Sequence, residues 1–304
     1  MANIGLLFPG QGAQSVGMGR ELTTRSASAK ALFDRASEIL RYDLLDLCIN
    51  GPEEKLTATV HSQPALFVHS MASMVCLLET EPELLSSVTA VAGLSLGEYS
   101  ALSAARGITF EDGVRLVQIR GAAMQEASEA QASGMASVLG LTAEQVEQVC
   151  SEARLDGEIL RPANFLCPGN VAISGHIRSI EAAEGTANQA GAMKFIRLNV
   201  AGAFHTDIMS PAVEKLKSGL DQVQLHPTRF PVFSNVDAQP HTRPDELRSL
   251  LAQQVVTAVQ WESTLRNMVA AGVEQFYEIG AGRVLAGTLK RIDRKIPCTC
   301  FGDN

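Results

Sequence analysis

The chain has 304 residues, 46% of them hydrophobic and 19% charged, with a formal net charge of −8. That length accommodates one large domain, or a large one carrying a smaller insert, and the acidic balance without a basic stripe argues against a nucleic-acid or anionic-membrane surface. No apolar run approaches the roughly 18 residues of a membrane span. The start, Met1-Ala2-Asn3-Ile4, lacks the basic opening and cleavage site of a signal peptide. The six cysteines are scattered with no paired Cys-x-x-Cys, which reads as free, mostly buried thiols in a reducing compartment, by default the cytoplasm.

In chain order, an apolar strand over residues 4–8 stops at Pro9-Gly10-Gln11-Gly12. Helical pattern runs from residue 20 to about 40 and again from 63 to 78, with His61 and His69 flanking the second helix. A strand over 88–92 enters Gly93-Leu94-Ser95-Leu96-Gly97, and a helix follows over 98–105. The next helix, 110 to about 130, carries Val114, Val117 and Met124 on one side and Arg120 elsewhere. This alternation implies a parallel sheet covered on both faces. Between about 131 and 198 the texture changes, with strands at 134–139, 171–174 and 194–200 and helices at 143–153 and 179–190. Two such strand–helix units suit a small α/β sandwich inserted in the larger domain. Strands at 230–235 and 275–279 return to the first pattern.

Gly-x-Ser-x-Gly between strand and helix is the nucleophile-elbow pattern. Its glycines fit a turn so tight that a Cβ at either position would meet backbone. The turn lifts the Ser95 hydroxyl beside the unpaired N–H groups of the new helix, which can hold an oxyanion; a plain strand–helix connection is the alternative. A serine nucleophile needs a base. His205 lies in the small-residue loop Val200-Ala201-Gly202-Ala203-Phe204-His205 after a strand, and follows Ser95 in chain order. His226 and His241 sit beside prolines, in surface loops by this reading. On position alone His205 is open to a structural role, and Arg120 reads as a helix arginine on a solvated face. Glu98, just after the elbow, reads as a cap or a partner of the helix dipole. No Gly-x-Gly-x-x-Gly follows the first strand, there is no phosphate loop, and no histidine–carboxylate cluster has metal spacing, so neither cofactor nor metal is expected.

Further landmarks recur in order: Phe8-Pro9-Gly10-Gln11-Gly12, Ser62-Gln63-Pro64-Ala65-Leu66, Gly93-Leu94-Ser95-Leu96-Gly97-Glu98-Tyr99, Gln118-Ile119-Arg120-Gly121, Ala203-Phe204-His205-Thr206, Ser234-Asn235-Val236-Asp237, Gln253-Gln254-Val255 with Trp261, and Glu278-Ile279-Gly280-Ala281-Gly282-Arg283. From end to end the chain resembles the acyl carrier protein S-malonyltransferases. The resemblance implies an α/β fold: a large α/β-hydrolase-like domain with a parallel sheet (1–130 and 199–304) and a small inserted ferredoxin-like domain (131–198). It implies Ser95 as the nucleophile that takes malonyl from CoA and passes it to the phosphopantetheine thiol of holo acyl carrier protein. His205 would be the general base and acid. Backbone N–H groups of Gln11 and Leu96 would form the oxyanion hole, and a main-chain carbonyl near Gln254 would orient the histidine in place of an acid. Arg120 would pair the malonyl carboxylate through two parallel hydrogen bonds, with Gln11 and Gln63 lining the same pocket. CoA and phosphopantetheine would be substrates, with no cofactor, and the chain is read as a monomer. The basic residues Arg283, Lys290, Arg291, Arg294 and Lys295 are candidates for docking an acidic carrier.

The chain departs from the family pattern at Leu94, where histidine is usual, at Leu166 (asparagine), Asn170 (glutamine) and Ala281 (proline). Leu94 leaves the Ser95–His205 chemistry standing but removes one polar group near the acyl carboxylate. Rival readings are an acyltransferase of a polyketide or malonate decarboxylase pathway, a serine thioesterase or esterase, and a carrier-binding scaffold without activity.

Overall fold

The computed structural model describes residues 2–302. The strands are β1 (Ile4–Phe8), β2 (Val88–Gly93), β3 (Ser133–Leu139), β4 (Leu160–Cys167), β5 (Asn170–His176), β6 (Lys194–Arg197), β7 (Val232–Phe233), β8 (Pro240–His241), β9 (Gln275–Ile279) and β10 (Cys298–Phe301). The helices are α1 (Arg20–Arg25), α2 (Ala27–Leu40), α3 (Leu44–Asn50), α4 (Glu53–Thr57), α5 (Thr59–Thr80), α6 (Leu84–Ser87), α7 (Gly97–Ala104), α8 (Phe110–Glu129), α9 (Ala143–Ala153), α10 (Ile177–Gln189), α11 (Ser210–Asp221), α12 (Pro244–Gln254), α13 (Trp261–Ala270) and α14 (Val284–Ile292). The fold is α/β.

Six strands form one sheet in the order β10-β9-β1-β2-β7-β8, parallel except where β8 returns against β7. The register sets the site. Phe8 lies beside Gly93, and Ala92 beside Phe233, so β1, β2 and β7 end level with one another. The turns that follow carry Gln11, Ser95 and Asn235, at the carboxyl ends of parallel strands where α/β sheets bind ligands.

Residues 133–197 supply the other sheet, order β4-β5-β3-β6, every pair antiparallel. With α9 and α10 this is a β-α-β-β-α-β unit of ferredoxin-like order. It has its own core, including Val138, Val146, Ile173 and Ile180.

The helical stretch 20–40 divides at Ser26, whose hydroxyl accepts from the Ala29 N–H and caps α2. α5 is buried on nearly every side, so His61 and His69 lie within it instead of flanking it. Arg120 also departs from expectation: it shares the buried face of α8 with Val117 and Met124, three and four residues away. The strand over 194–200 ends at Arg197, and that over 230–235 pairs only at Val232–Phe233. His241, read as a loop residue, lies in β8.

The elbow glycines are spatially obligatory. A Cβ on Gly93 would stand 1.9 Å from the Gly97 carbonyl carbon, and one on Gly97 would stand 2.1 Å from the Phe8 carbonyl oxygen. Both obstacles are backbone, which cannot swing aside. Gly97→Ala should therefore cost about 3 kcal/mol or more in stability. Gly185→Ala, on an open face of α10, should stabilise by roughly 0.5–1 kcal/mol. Denaturation midpoints of the two variants check both outcomes.

Candidate active site

Ser95 stands between β2 and α7 with φ 51°, a left-handed conformation unusual for a residue with a Cβ. Both of its backbone groups are held by side chains. The Ser95 N–H donates to Asn235 Oδ1 at 2.6 Å, and its carbonyl accepts from Gln254 Nε2 at 2.9 Å. Asn235 Nδ2 also donates to the Gly93 carbonyl at 2.8 Å, bracing the other side of the elbow.

The Ser95 hydroxyl lies 2.9 Å from His205 Nε2 and accepts from Arg120 Nη2 at 3.0 Å. His205, itself at φ 63°, places Nδ1 2.8 Å from the Gln254 carbonyl oxygen. A carbonyl only accepts, so Nδ1 carries the proton and Nε2 is left to take one from Ser95. Among the described residues no carboxylate touches this imidazole. Asp207, two residues on, turns to Arg161 at 3.3 Å, and Arg161 in turn donates to the His205 carbonyl.

Burial and the nearby Arg120 cation lower the His205 pKa to about 4, against the opposing pull of its hydrogen bonds to backbone. At neutral pH the ring is thus a neutral base. Arg120 is 1% exposed, with its guanidinium over the Tyr99 ring at 5.6 Å; burial lowers its pKa. Besides Ser95 it donates to Gln254 Oε1 at 2.9 Å, and its Nε has no hydrogen-bond partner among the described residues. Arg120 lines the cavity beside Ser95, where its guanidinium can meet an incoming anion.

Gln11, Leu94, Ser95, Arg120, Met124 and His205 line a cavity of about 70 Å³. Gly10 lets the Pro9–Gly12 turn lie against the elbow, since a Cβ there would be 2.3 Å from the Leu94 carbonyl oxygen. The backbone N–H groups of Gln11 and Leu96 donate to no protein acceptor among the described residues. They are available to an oxyanion. A larger groove, about 470 Å³, lies between α11 and α12 beside Lys217, Arg248 and Gln253, but no histidine lines it. Chemistry, not size, selects the smaller cavity.

The acyl transferase domain profile matches residues 6–295. The chain belongs to the acyl transferase family. It is 40% identical over 303 residues to the malonyl CoA-acyl carrier protein transacylase of Bacillus subtilis, covering all of this chain and 94% of that protein. Among solved structures, an acyl carrier protein S-malonyltransferase from Vibrio cholerae superposes with a TM-score of 0.93 at 36% identity, covering 100% of this chain and 98% of that one. A malonyl-transacylase in complex with a type II PKS acyl-carrier protein gives 0.95 at 36% identity, covering 100% and 97%.

Of the residues singled out in this acyl transferase's sequence, Ser95, His205, Arg120, Gln254 and Gln11 converge. Gln63 stands behind the cavity wall, its Nε2 3.6 Å from Met124 Sδ. Leu94 reaches the cavity and also packs with the cluster of Leu7, Phe233 and Trp261. Glu98 does not cap α7. Its Oε2 accepts from the Asn235 N–H at 3.1 Å and from Gln254 Nε2 at 2.6 Å, and burial lifts its pKa to about 7. Asn235 received no role from sequence reasoning, although it stands in the Ser234-Asn235-Val236-Asp237 landmark.

The depressed histidine fixes a pH dependence. In Glu98→Gln, where the neighbouring carboxyl no longer titrates, acylation of Ser95 should stay level from pH 8 to about 5. It should fall only as His205 protonates near its folded pKa of about 4. Stopped-flow acylation across that range checks this, a midpoint near 6.5 marking instead an ordinary solvated imidazole.

Proposed function

We propose that this acyl transferase moves malonyl from CoA to the phosphopantetheine thiol of holo acyl carrier protein through an ester on Ser95, supplying fatty-acid synthesis. Ser95 Oγ attacks the thioester carbonyl as its proton passes to His205 Nε2. The tetrahedral oxyanion is held by the N–H groups of Gln11 and Leu96. Collapse expels the CoA sulfur, which takes the proton back from His205. The carrier thiol then repeats the sequence in reverse, giving its proton to His205, and Ser95 leaves with it.

The observation that carries this reading is a buried guanidinium at hydrogen-bond distance from the nucleophile. An esterase acting on neutral acyl groups has no use for a cation there, whereas the free carboxylate of a malonyl group requires one in a site closed to water. Gln254 supplies the main-chain carbonyl that orients His205, and Gln63 backs the pocket through Met124. We read residues 1–130 and 199–304 as the catalytic domain and 131–198 as the insert roofing the site. Cavity-lining residues from both sides, Leu94 and Arg120 against Met135 and Asn164, support this division. The reading asks for no resident cofactor, takes the chain as a cytoplasmic monomer, and assigns carrier docking to the exposed Lys290, Arg291, Arg294 and Lys295.

Intact mass after mixing with malonyl-CoA should show one malonyl adduct, absent in Ser95→Ala, that moves to holo carrier on addition. An adduct that decays to free malonate without reaching the carrier points to a thioesterase instead. Arg120→Ala should slow malonyl transfer about 30-fold, as loss of a charge-assisted hydrogen bond predicts, and leave acetyl transfer nearly unchanged. A variant retaining full malonyl preference removes Arg120 from the carboxylate role.

A further inference from the structure

We propose that Glu98 is a positioning residue of this site: its carboxylate, by holding Asn235 and Gln254 together, fixes the backbone of Ser95 and the side of the Gln254 amide that faces Arg120. The proposal deepens the reading of Ser95 as the acylated serine and rests on it.

The Glu98 side chain touches no reacting atom; its backbone N–H donates to the Ser95 carbonyl at 3.1 Å, as that of any residue in this turn would. One oxygen, Oε2, accepts from the Asn235 N–H at 3.1 Å and from Gln254 Nε2 at 2.6 Å. Those two residues are the ones that hold the Ser95 N–H and the Ser95 carbonyl. A serine at φ 51° persists only where its surroundings over-determine it, and both side-chain restraints on this one converge on a single buried carboxylate.

The Gln254 amide is the second link. Its two ends are nearly equal in shape, so hydrogen bonding alone decides which is which. Nε2 spends its hydrogens on Glu98 and the Ser95 carbonyl, which leaves Oε1 for Arg120 Nη2 at 2.9 Å. Without an acceptor at residue 98 one Nε2 hydrogen is left buried and unpaired, and only the Ser95 carbonyl and Arg120 still hold the amide in this sense. Arg120 then leans on a loosened amide for the contact that aims it at Ser95. Either protonation state of Glu98 keeps Oε2 an acceptor, because Oε1 has no hydrogen-bond partner among the described residues and can carry the proton.

Glu98→Gln preserves an acceptor oxygen, while Glu98→Leu fills similar space without one. The test compares both with the native chain in single-turnover acylation by malonyl-CoA and acetyl-CoA, and in labelling of Ser95 by a fluorophosphonate, with melting temperature recorded. Glu98→Leu is expected to lose about 30-fold in malonylation and about 10-fold in labelling, with the malonyl-to-acetyl ratio falling about 10-fold. Glu98→Gln should stay within about 3-fold of native on all three. A folded Glu98→Leu with native rates and ratio overturns the proposal, as does Glu98→Gln falling as far as Glu98→Leu. If Glu98→Leu does not fold, Glu98→Asp withdraws the acceptor by one methylene, and native values in that variant overturn it equally. A native chain that takes up no malonyl, with the labelling contrast intact, sinks the substrate reading alone. Malonylation in the native chain without the contrast sinks the role of Glu98 alone.

Discussion

One glutamine side chain and its own carbonyl tie the nucleophile, its base and the buried guanidinium to one another. Gln254 ends α12, where the last carbonyls of a helix lack intrahelical partners, and its carbonyl receives His205 Nδ1 alongside the Thr257 N–H. Its amide meanwhile joins the Ser95 carbonyl, Glu98 and Arg120. Base, nucleophile and guanidinium come from three distant segments, yet a shift in this one residue would displace all of them. The level ends of β1, β2 and β7 bring the segments close, and Gln254 sets them in register to within a hydrogen bond.

The site concentrates ionisable groups in a place that penalises charge. Glu98, Arg120 and His205 are each 2% exposed or less. Burial pushes the carboxyl and the imidazole toward their neutral forms, the one up to about 7 and the other down to about 4. Arg120 remains the cation of the group. Its charge is offset by hydrogen bonds to Gln254 and Ser95 and by the Tyr99 ring, with no direct ion pair among the described residues. An arrangement of this kind leaves the guanidinium's attraction for an anion largely uncancelled.

Much of this was legible from the residues, and the exceptions have physical causes. The elbow could be read because its glycines are demanded by backbone contact and its flanking patterns are strong. α9 could be read to the residue because Thr142 and Gln145 form a capping box. β4 was not recognised as a strand, because Pro162 interrupts it; the sheet accepts the proline because β4 is an edge strand with irregular register there. β10 is four residues of small and aromatic type, and only its pairing to β9 identifies it. Arg120 was placed off the apolar side of its helix because burying arginine is rare, so hydropathy assigned it to water where hydrogen bonding holds it inside. The partnerships of Glu98 and Asn235 span more than 130 positions, and no local pattern encodes them.

The group that orients His205 is a main-chain carbonyl and not an aspartate. Substitution cannot delete it without moving the backbone, so the tautomer is protected against most mutations in a way a side-chain acid is not. The same choice leaves the imidazolium that forms in each half-reaction close to a cation and, among the described residues, without a negative partner. A protonated ring in that position is a poor resting place and gives its proton up readily, to the departing sulfur in one direction or back to the serine in the other. The site is thereby built for equilibrium: it carries an acyl group both ways between two thiols of similar leaving ability, and lets the concentrations on either side decide the net flow.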